Sequence, residues 1–276
     1  MRPTASSKSE TAPGGNSKIL TFAHWLSTFL LVAGFAVALA ELWAAPDANW
    51  PEALLLALAT VGAIIALARQ LPMQNILLAA AVMAIVGGAA HALCVNTGVP
   101  FGPFTFGPEF GPQIFRTLPW FVPLLWVAMI LNSRGVARLI LRPWRKIKTY
   151  GFWLMGLTAT LTTLFDFAFD PFASRVRHYW IWMPVNFPLT WLGAPLTNFL
   201  GWVFLSLLIL AFVTPTLIRK QLSRQTAPDF HPLAAWLGGI LLFGIASGMR
   251  GLWPAVVTDG IIFAVVALFA IRGALW

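Results

Sequence analysis

The chain has 276 residues, 59% of them apolar, 14% aromatic and only 10% charged. A water-soluble domain carries about 25% charged residues, so soluble enzymes, secreted disulfide scaffolds and disordered chains are excluded, and lipid is the expected solvent. The single cysteine, Cys94, allows no intramolecular disulfide and no cysteine-based metal site. The net charge of +9 has to be explained by where the basic residues sit.

Residues 1–18 are rich in Ser, Thr, Gly and Pro and are expected to form a disordered tail, leaving 19–276 as a single polytopic domain. A membrane-crossing helix needs about 20 mostly apolar residues. In chain order eight runs qualify, at 19–44, 51–69, 73–95, 114–133, 149–170, 198–218, 233–249 and 254–272. Breakers or charges separate them: Pro46 and Pro51, Pro72, the Gly/Pro-rich stretch 96–113, the basic stretch 134–148, Pro171 to Pro195, and Arg219 to Pro232. The expected fold is therefore an all-α integral membrane bundle of about eight helices.

With a cytoplasmic N-terminus, fourteen of the eighteen basic residues fall on the cytoplasmic side: Arg2, Lys8, Lys18, Arg69, six between Arg134 and Lys148, Arg219, Lys220, Arg224 and Arg272. The other side receives Arg116, Arg175, Arg177 and Arg250. Basic residues concentrate in cytoplasmic loops, so both termini are expected there, in a multi-pass protein of the bacterial inner membrane. The basicity is thus a topology signal, and no basic stripe with a reading motif points to nucleic acid. Ala38-Leu39-Ala40 resembles a signal-peptide cleavage site, but the apolar run is too long for a signal h-region, which favours an uncleaved anchor.

Ionisable groups inside a bilayer are costly, which makes each a functional candidate. These are Glu41 in helix one, His91 in helix three, Asp166 and Asp170 in helix five and Asp259 in helix eight. Helix direction places all five in the outer half of the membrane, and Asn198, opening helix six, joins them. Asp166 and Asp170 share a face at i,i+4 within the aromatic run Leu161–Asp170. Two carboxyls on one apolar face cannot both ionise cheaply, so one is expected to keep its proton and serve as a donor. Glu41 and Asp170 also read as boundary residues reaching for the interface. His24 lies in the inner half and cannot share a haem with His91; a helix-packing hydrogen bond suits it better. His231 and His178 fall in loops, without metal-ligand spacing.

Residues 96–113 hold four Gly, four Pro and four Phe, a density of breakers that forbids a helix. The segment is nevertheless too apolar to be a solvated loop and is expected to fold back on the bundle, where irregular backbone lines a cavity. The 171–197 connection is similar, broken by Pro171, Pro184, Pro188 and Pro195 and carrying Trp180, Trp182 and Trp191. Two long aromatic outer loops over a cluster of acids point to a pocket for a greasy substrate; part of that aromaticity also suits an interfacial belt.

Four motifs in order, Thr97-Gly-Val-Pro-Phe-Gly102, Asp166-Phe-Ala-Phe-Asp-Pro171, Trp180-Ile-Trp182 and Gly193-Ala-Pro-Leu-Thr-Asn-Phe-Leu-Gly-Trp202, resemble the integral-membrane carotenoid biosynthesis family, which includes carotenoid 1,2-hydratases. The resemblance runs from about 91 to 202. It departs at His91, where the family is expected to carry Glu, and at Phe104 and Phe106, where Tyr is usual.

The resemblance implies a hydrophobic polyene substrate in the bilayer and addition of water to the terminal double bond of an acyclic carotenoid end. It implies no cofactor and no metal, with other carotenoid-modifying enzymes as possible downstream partners. The acid would be Asp166 or Asp170; Glu41, His91 or the second aspartate would take a proton from water; Asn198 would orient that water. Phe165, Phe167, Trp180 and Trp182 would face the cation, with Phe101, Phe104 and Trp202 in substrate contact. The competing reading is a non-catalytic carotenoid-binding or assembly protein. A transporter would place its polar groups near the midplane, and an unrelated polyprenyl-lipid enzyme is a further alternative.

Overall fold

A computed structural model describes residues 14–44, 48, 50–108, 111–185, 189–218 and 227–276, without the side chains of 14–17. The expectations for residues 1–13, Pro46, Glu109, Pro188, Arg219, Lys220 and Arg224 lie outside the described residues. Eight helices are each long and apolar enough to cross a membrane. They are α1 (Gly14–Ala44), α2 (Trp50–Ala68), α3 (Met73–Thr97), α4 (Phe121–Ile140), α5 (Tyr150–Pro171), α6 (Leu196–Val213), α7 (His231–Met249) and α8 (Trp253–Ala274).

The chain packs largely in sequence order, α1 on α2, α3 on α4, α5 on α6 and α7 on α8, with α4 at the centre against α2, α3, α5, α7 and α8. This placement explains the composition of α4. Shielded from lipid by five neighbours, it buries Asn132, Ser133 and Arg134 among Trp126, Ile130 and Val136. The Arg134 guanidinium donates from Nη2 to the Leu217 carbonyl at 3.0 Å, just past the end of α6. The peripheral helices α1 and α8 instead present large apolar side chains outward, such as Phe22, Phe29, Leu268 and Phe269.

Several boundaries differ from expectation. Helix α1 begins at Gly14, ahead of residue 19. Helix α4 starts at Phe121 rather than 114 and runs on to Ile140, so Arg134 and Arg138 are helical rather than part of a basic loop. The residues before it form short antiparallel strands, β2 (Gln113–Ile114) and β3 (Leu118–Pro119). Apolarity alone could not separate this pleated stretch from helix. His231 is not in a loop but opens α7, buried, with Nδ1 at 3.0 Å from Thr28 Oγ1.

The two long loops do not lie side by side independently. Strand β1 (Phe104–Phe106) pairs antiparallel with β4 (Trp180–Trp182), matching Phe104 with Trp182 and Phe106 with Trp180. A further pair, β5 (Thr190–Trp191) and β6 (Ala194–Pro195), leads into α6. The joined loops form one lid over one end of the bundle. Gly102, at φ +107°, sits where any Cβ would press to within 2.7 Å of Pro195, tying the first loop against the second.

At the opposite end a polar staple holds three helices. His24 Nε2 of α1 lies 3.1 Å from Asp229 Oδ1, the His231 backbone N–H donates to the same oxygen at 3.1 Å, and Arg69 Nη1 stands 3.9 Å from Oδ2. Burial pushes the Asp229 carboxyl up, but the His24 hydrogen bond and charge, with the His231 N–H, outweigh it and hold the group below its usual range. A carboxyl held low contributes stability that is present above its unfolded value, about 3.9, and is lost as pH falls through the lower folded value. Replacing Asp229 with Ala is therefore expected to cost about 1–3 kcal/mol at neutral pH. Thermal melting in detergent should show a lower midpoint for the variant, with the gap to wild type closing below about pH 4.

Candidate functional site

The site begins with a helix that survives a proline. Pro171 has no N–H to offer the Phe167 carbonyl one turn back, and the Trp191 indole replaces it, donating to that oxygen at 3.0 Å. The helix therefore continues through Asp170 and Pro171 into a wider π turn, Phe172–Val176, closed by the Arg177 N–H on the Phe172 carbonyl at 2.9 Å. This turn brings Ser174 back over Asp170: its Oγ donates to the Asp170 carbonyl at 2.8 Å and lies 3.2 Å from Oδ1.

Asp166 and Asp170 are each 1% exposed. Four side chains supply hydrogen to them. Trp182 Nε1 lies 3.0 and 3.2 Å from the two Asp170 oxygens, and Trp180 Nε1 lies 3.3 Å from Oδ2. Asn198, in the first turn of α6, donates from Nδ2 to Asp166 Oδ2 at 2.8 Å and reaches Asp170 Oδ2 at 3.5 Å. One amide thus bridges both carboxyls. Asp166 Oδ1 has no hydrogen-bond partner among the described residues. No Lys or Arg forms an ion pair with either aspartate among them.

Across from the pair, His91 sits in an aromatic cage of Phe101, Phe104, Trp126 and Trp202, with ring centroids 4.4–6.2 Å away. Trp126 and Trp202 stack at 4.1 Å and 17°. Gly87 makes room for this arrangement, since a Cβ there would enter the Trp126 ring. Trp126 Nε1 points at His91 Nδ1 from 3.2 Å, and the Gly87 carbonyl lies 3.2 Å from the same nitrogen. The indole N–H can only donate and the carbonyl can only accept, so Nδ1 has a protein partner in either tautomer.

A void of about 20 Å³ lies between these groups, lined by Asp166, Asn198, His91, Leu125, Phe101, Phe104, Trp180, Trp182 and Trp202, among others. A void needs about 10–15 Å³ by this measure to hold one water. The pocket therefore has room for about one water and none for a hydrocarbon end group.

Eight of the twelve residues singled out in the sequence line this void, and Asp170 is bonded to three of them. Glu41, Phe165 and Phe167 do not. Glu41 belongs to α1, which packs chiefly on α2 and α7 rather than on the helices of the site. Phe165 and Phe167 flank Asp166, and successive helical residues point about 100° apart, so both turn away from its face. Phe165 meets Trp236 and Phe243, while Phe167 stacks on Trp191 at 4.6 Å. Trp180 and Trp182 act on Asp170 through their N–H groups, an arrangement not anticipated for residues expected to offer ring faces. Asp259 also stands apart, facing Gly244 on α7.

A larger cavity lies beside the acid pocket, on the other side of α4 and α5. It measures about 400 Å³ and is lined by residues of α1, α2, α4, α5 and α7, with Leu125 shared between the two voids. Glu52 also lines it and pairs with Arg177, whose Nε donates to Oε1 at 2.7 Å and whose Nη2 contacts the same oxygen. Tyr179 lines it too. No motif singles out Glu52 in the sequence, and Arg177 reads there only as an outer-side charge. The opposite signs of two charges on one side were the available clue.

Comparison with known proteins places these features in a family. The description "carotenoid biosynthesis protein" matches residues 51–267, most of the chain. A bisanhydrobacterioruberin hydratase of Haloarcula japonica is 31% identical over 111 residues, which cover 40% of this chain and 34% of that protein. The chain thus matches about a third of the length of this curated relative. No solved structure matches. The family match spans every helix of the acid pocket, α3 to α6, and the lid that closes it: the chain belongs to the carotenoid biosynthesis family.

Proposed function

We propose that this protein is an enzyme that adds water across the terminal C1–C2 double bond of an acyclic carotenoid end group by acid catalysis. One observation carries the reading: two carboxyls buried on adjacent turns, bridged by one amide, beside a void the size of one water. Two buried carboxylates cannot both remain charged without counter-ions, so the pair holds one proton between them. The relative described as a hydratase supports the same chemistry.

The reaction requires nothing more than that proton and a water. One aspartate gives its proton to C2, and the π electrons form the new C–H bond. The tertiary cation left at C1 is taken by the water oxygen, and the second aspartate accepts the proton that this water loses. The pair ends with one proton, as it began, so a proton shift across the Asn198 bridge resets the site. Asn198 and His91 orient the water; the indole donors steady Asp170 when it carries the charge, and the Asn198 amide reaches either carboxyl.

The orientation we propose places the lid outside and the His24–Asp229 staple in the cytoplasmic half. Arg69, Arg134 and Arg138 cluster near the staple end, against Arg175 and Arg177 beside the lid, which supports this direction. Reporter fusions after Lys148 and Arg224 should then be cytoplasmic and one near Glu109 external; a cytoplasmic reporter at Glu109 would overturn the orientation.

Asp166→Asn keeps shape and hydrogen bonding but carries no acidic proton. Conversion of an acyclic carotenoid by membranes bearing this variant should fall by about 10²–10⁴-fold or more, at unchanged protein level. Asp170→Asn should lose as much if Asp170 is the donor. Near-normal water addition in both variants would remove the pair from the mechanism, and no hydroxylated product from wild type would leave a binding protein.

A further inference from the structure

The two voids differ in size by a factor that assigns them different contents. A cavity of about 150 Å³ holds one benzene. By that measure the 400 Å³ cavity has room for about sixteen carbons, on the order of three isoprene units, and the 20 Å³ acid pocket has room for about one water. The proposed reaction joins an alkene to a water, and the structure has two neighbouring voids of different size.

We infer that the large cavity is the seat of the isoprenoid chain, taking a terminal segment of about three isoprene units, and that the acid pocket is the seat of the water. The identity of the chain rests on the hydratase reading; the existence of a seat for it does not. The cavity is lined mainly by rings and aliphatic groups, including Phe35, Phe121, Phe165 and Phe243. Trp50 and Trp120, 48% and 44% exposed, also line it and mark its mouth at the lid end. An isoprenoid chain, branched and unsaturated, offers methyls and π-faces to such rings, and the length beyond three units stays in the bilayer.

The partition between the seats is thin. Leu125 lines both voids, and Phe169 on the cavity side meets Trp180 on the pocket side, edge to face at 5.4 Å. These three side chains stand between a seated chain and the acid pair. They are the positions that decide which carbon of the chain reaches Asp166.

The test uses the full-length protein made in a host that accumulates an acyclic C40 polyene, purified in detergent, with the polyene bound per protein read from its visible absorbance. Wild type should retain polyene, and a C15 isoprenoid should displace it where phospholipid does not. Ala128→Phe fills the cavity from α4 and should lower retained polyene by at least about tenfold. Ala235→Leu fills it more gently from α7 and keeps the test valid if the larger variant fails to fold, which thermal melting reports. Asp166→Asn should retain polyene as wild type does while losing conversion.

The outcomes separate the two readings. Polyene held by wild type without hydration sinks the hydratase and leaves the seat. Hydration and retention unchanged in both folded cavity variants overturn the seat and leave the hydratase. Phospholipid as the only extractable apolar occupant overturns the seat as well.

Discussion

Placing two carboxyls one helical turn apart inside an apolar bundle is the constraint around which the rest of this protein is arranged. Each carboxyl needs hydrogen-bond donors that lipid cannot supply. A single helix cannot provide them, because its own N–H groups are engaged. Donors therefore come from three separate places: the Ser174 hydroxyl from the π turn, two indoles from β4, and one amide from the start of α6. Each depends on a structural oddity. The π turn depends on a helix carried through Pro171 by the Trp191 indole. The indoles depend on β4 being pinned to β1, and the amide depends on the break at Pro195 that starts α6 where it does.

The lid is thus part of the acid site rather than a cover over it. Phe104 pairs with Trp182 in the ladder, so the strand holding the His91 cage also fixes the donor on Asp170. The pleat sends Trp180 and Trp182 to one face and the exposed Ile181 to the other. This periodicity gives a physical meaning to a motif of alternating indoles. It also concentrates polarity at one end of the bundle, while the His24–Asp229 staple lies at the other.

How much of this was legible in the sequence follows from which interactions are local. Eight apolar runs gave eight helices, since length and hydropathy are properties of a segment. The i,i+4 spacing of Asp166 and Asp170 put them on one face, and the Pro/Gly density of 96–113 marked irregular backbone. Illegible were the features that depend on partners far along the chain. The continuation through Pro171 needs Trp191, the pairing of the two loops needs register, and the Glu52–Arg177 pair joins residues 125 positions apart. The start of α4 was misplaced because an apolar strand next to a helix has the same hydropathy as helix. Phe165 and Phe167 flank Asp166 in sequence, but on a helix the neighbours in space are three and four residues away, so Phe165 lines the larger cavity and Phe167 stacks on Trp191. Phe169, three residues on, stands in the partition instead.

His91 shows how one substitution can suit this electrostatic arrangement. The resemblance leads to an expectation of Glu at this position, and a third carboxyl beside the aspartate pair would need another donor or another proton. An imidazole needs neither when it stays neutral. The Trp126 indole N–H and the Gly87 carbonyl both reach Nδ1, one as donor and one as acceptor, so this nitrogen is engaged with the protein in either tautomer. Nε2 is left for a water in the void that His91 shares with Asp166 and Asn198. Under the proposed reaction that water gives its hydrogen to the second aspartate. His91 is then a positioning group, and the base role falls to the pair itself, where one proton already suffices for a full cycle.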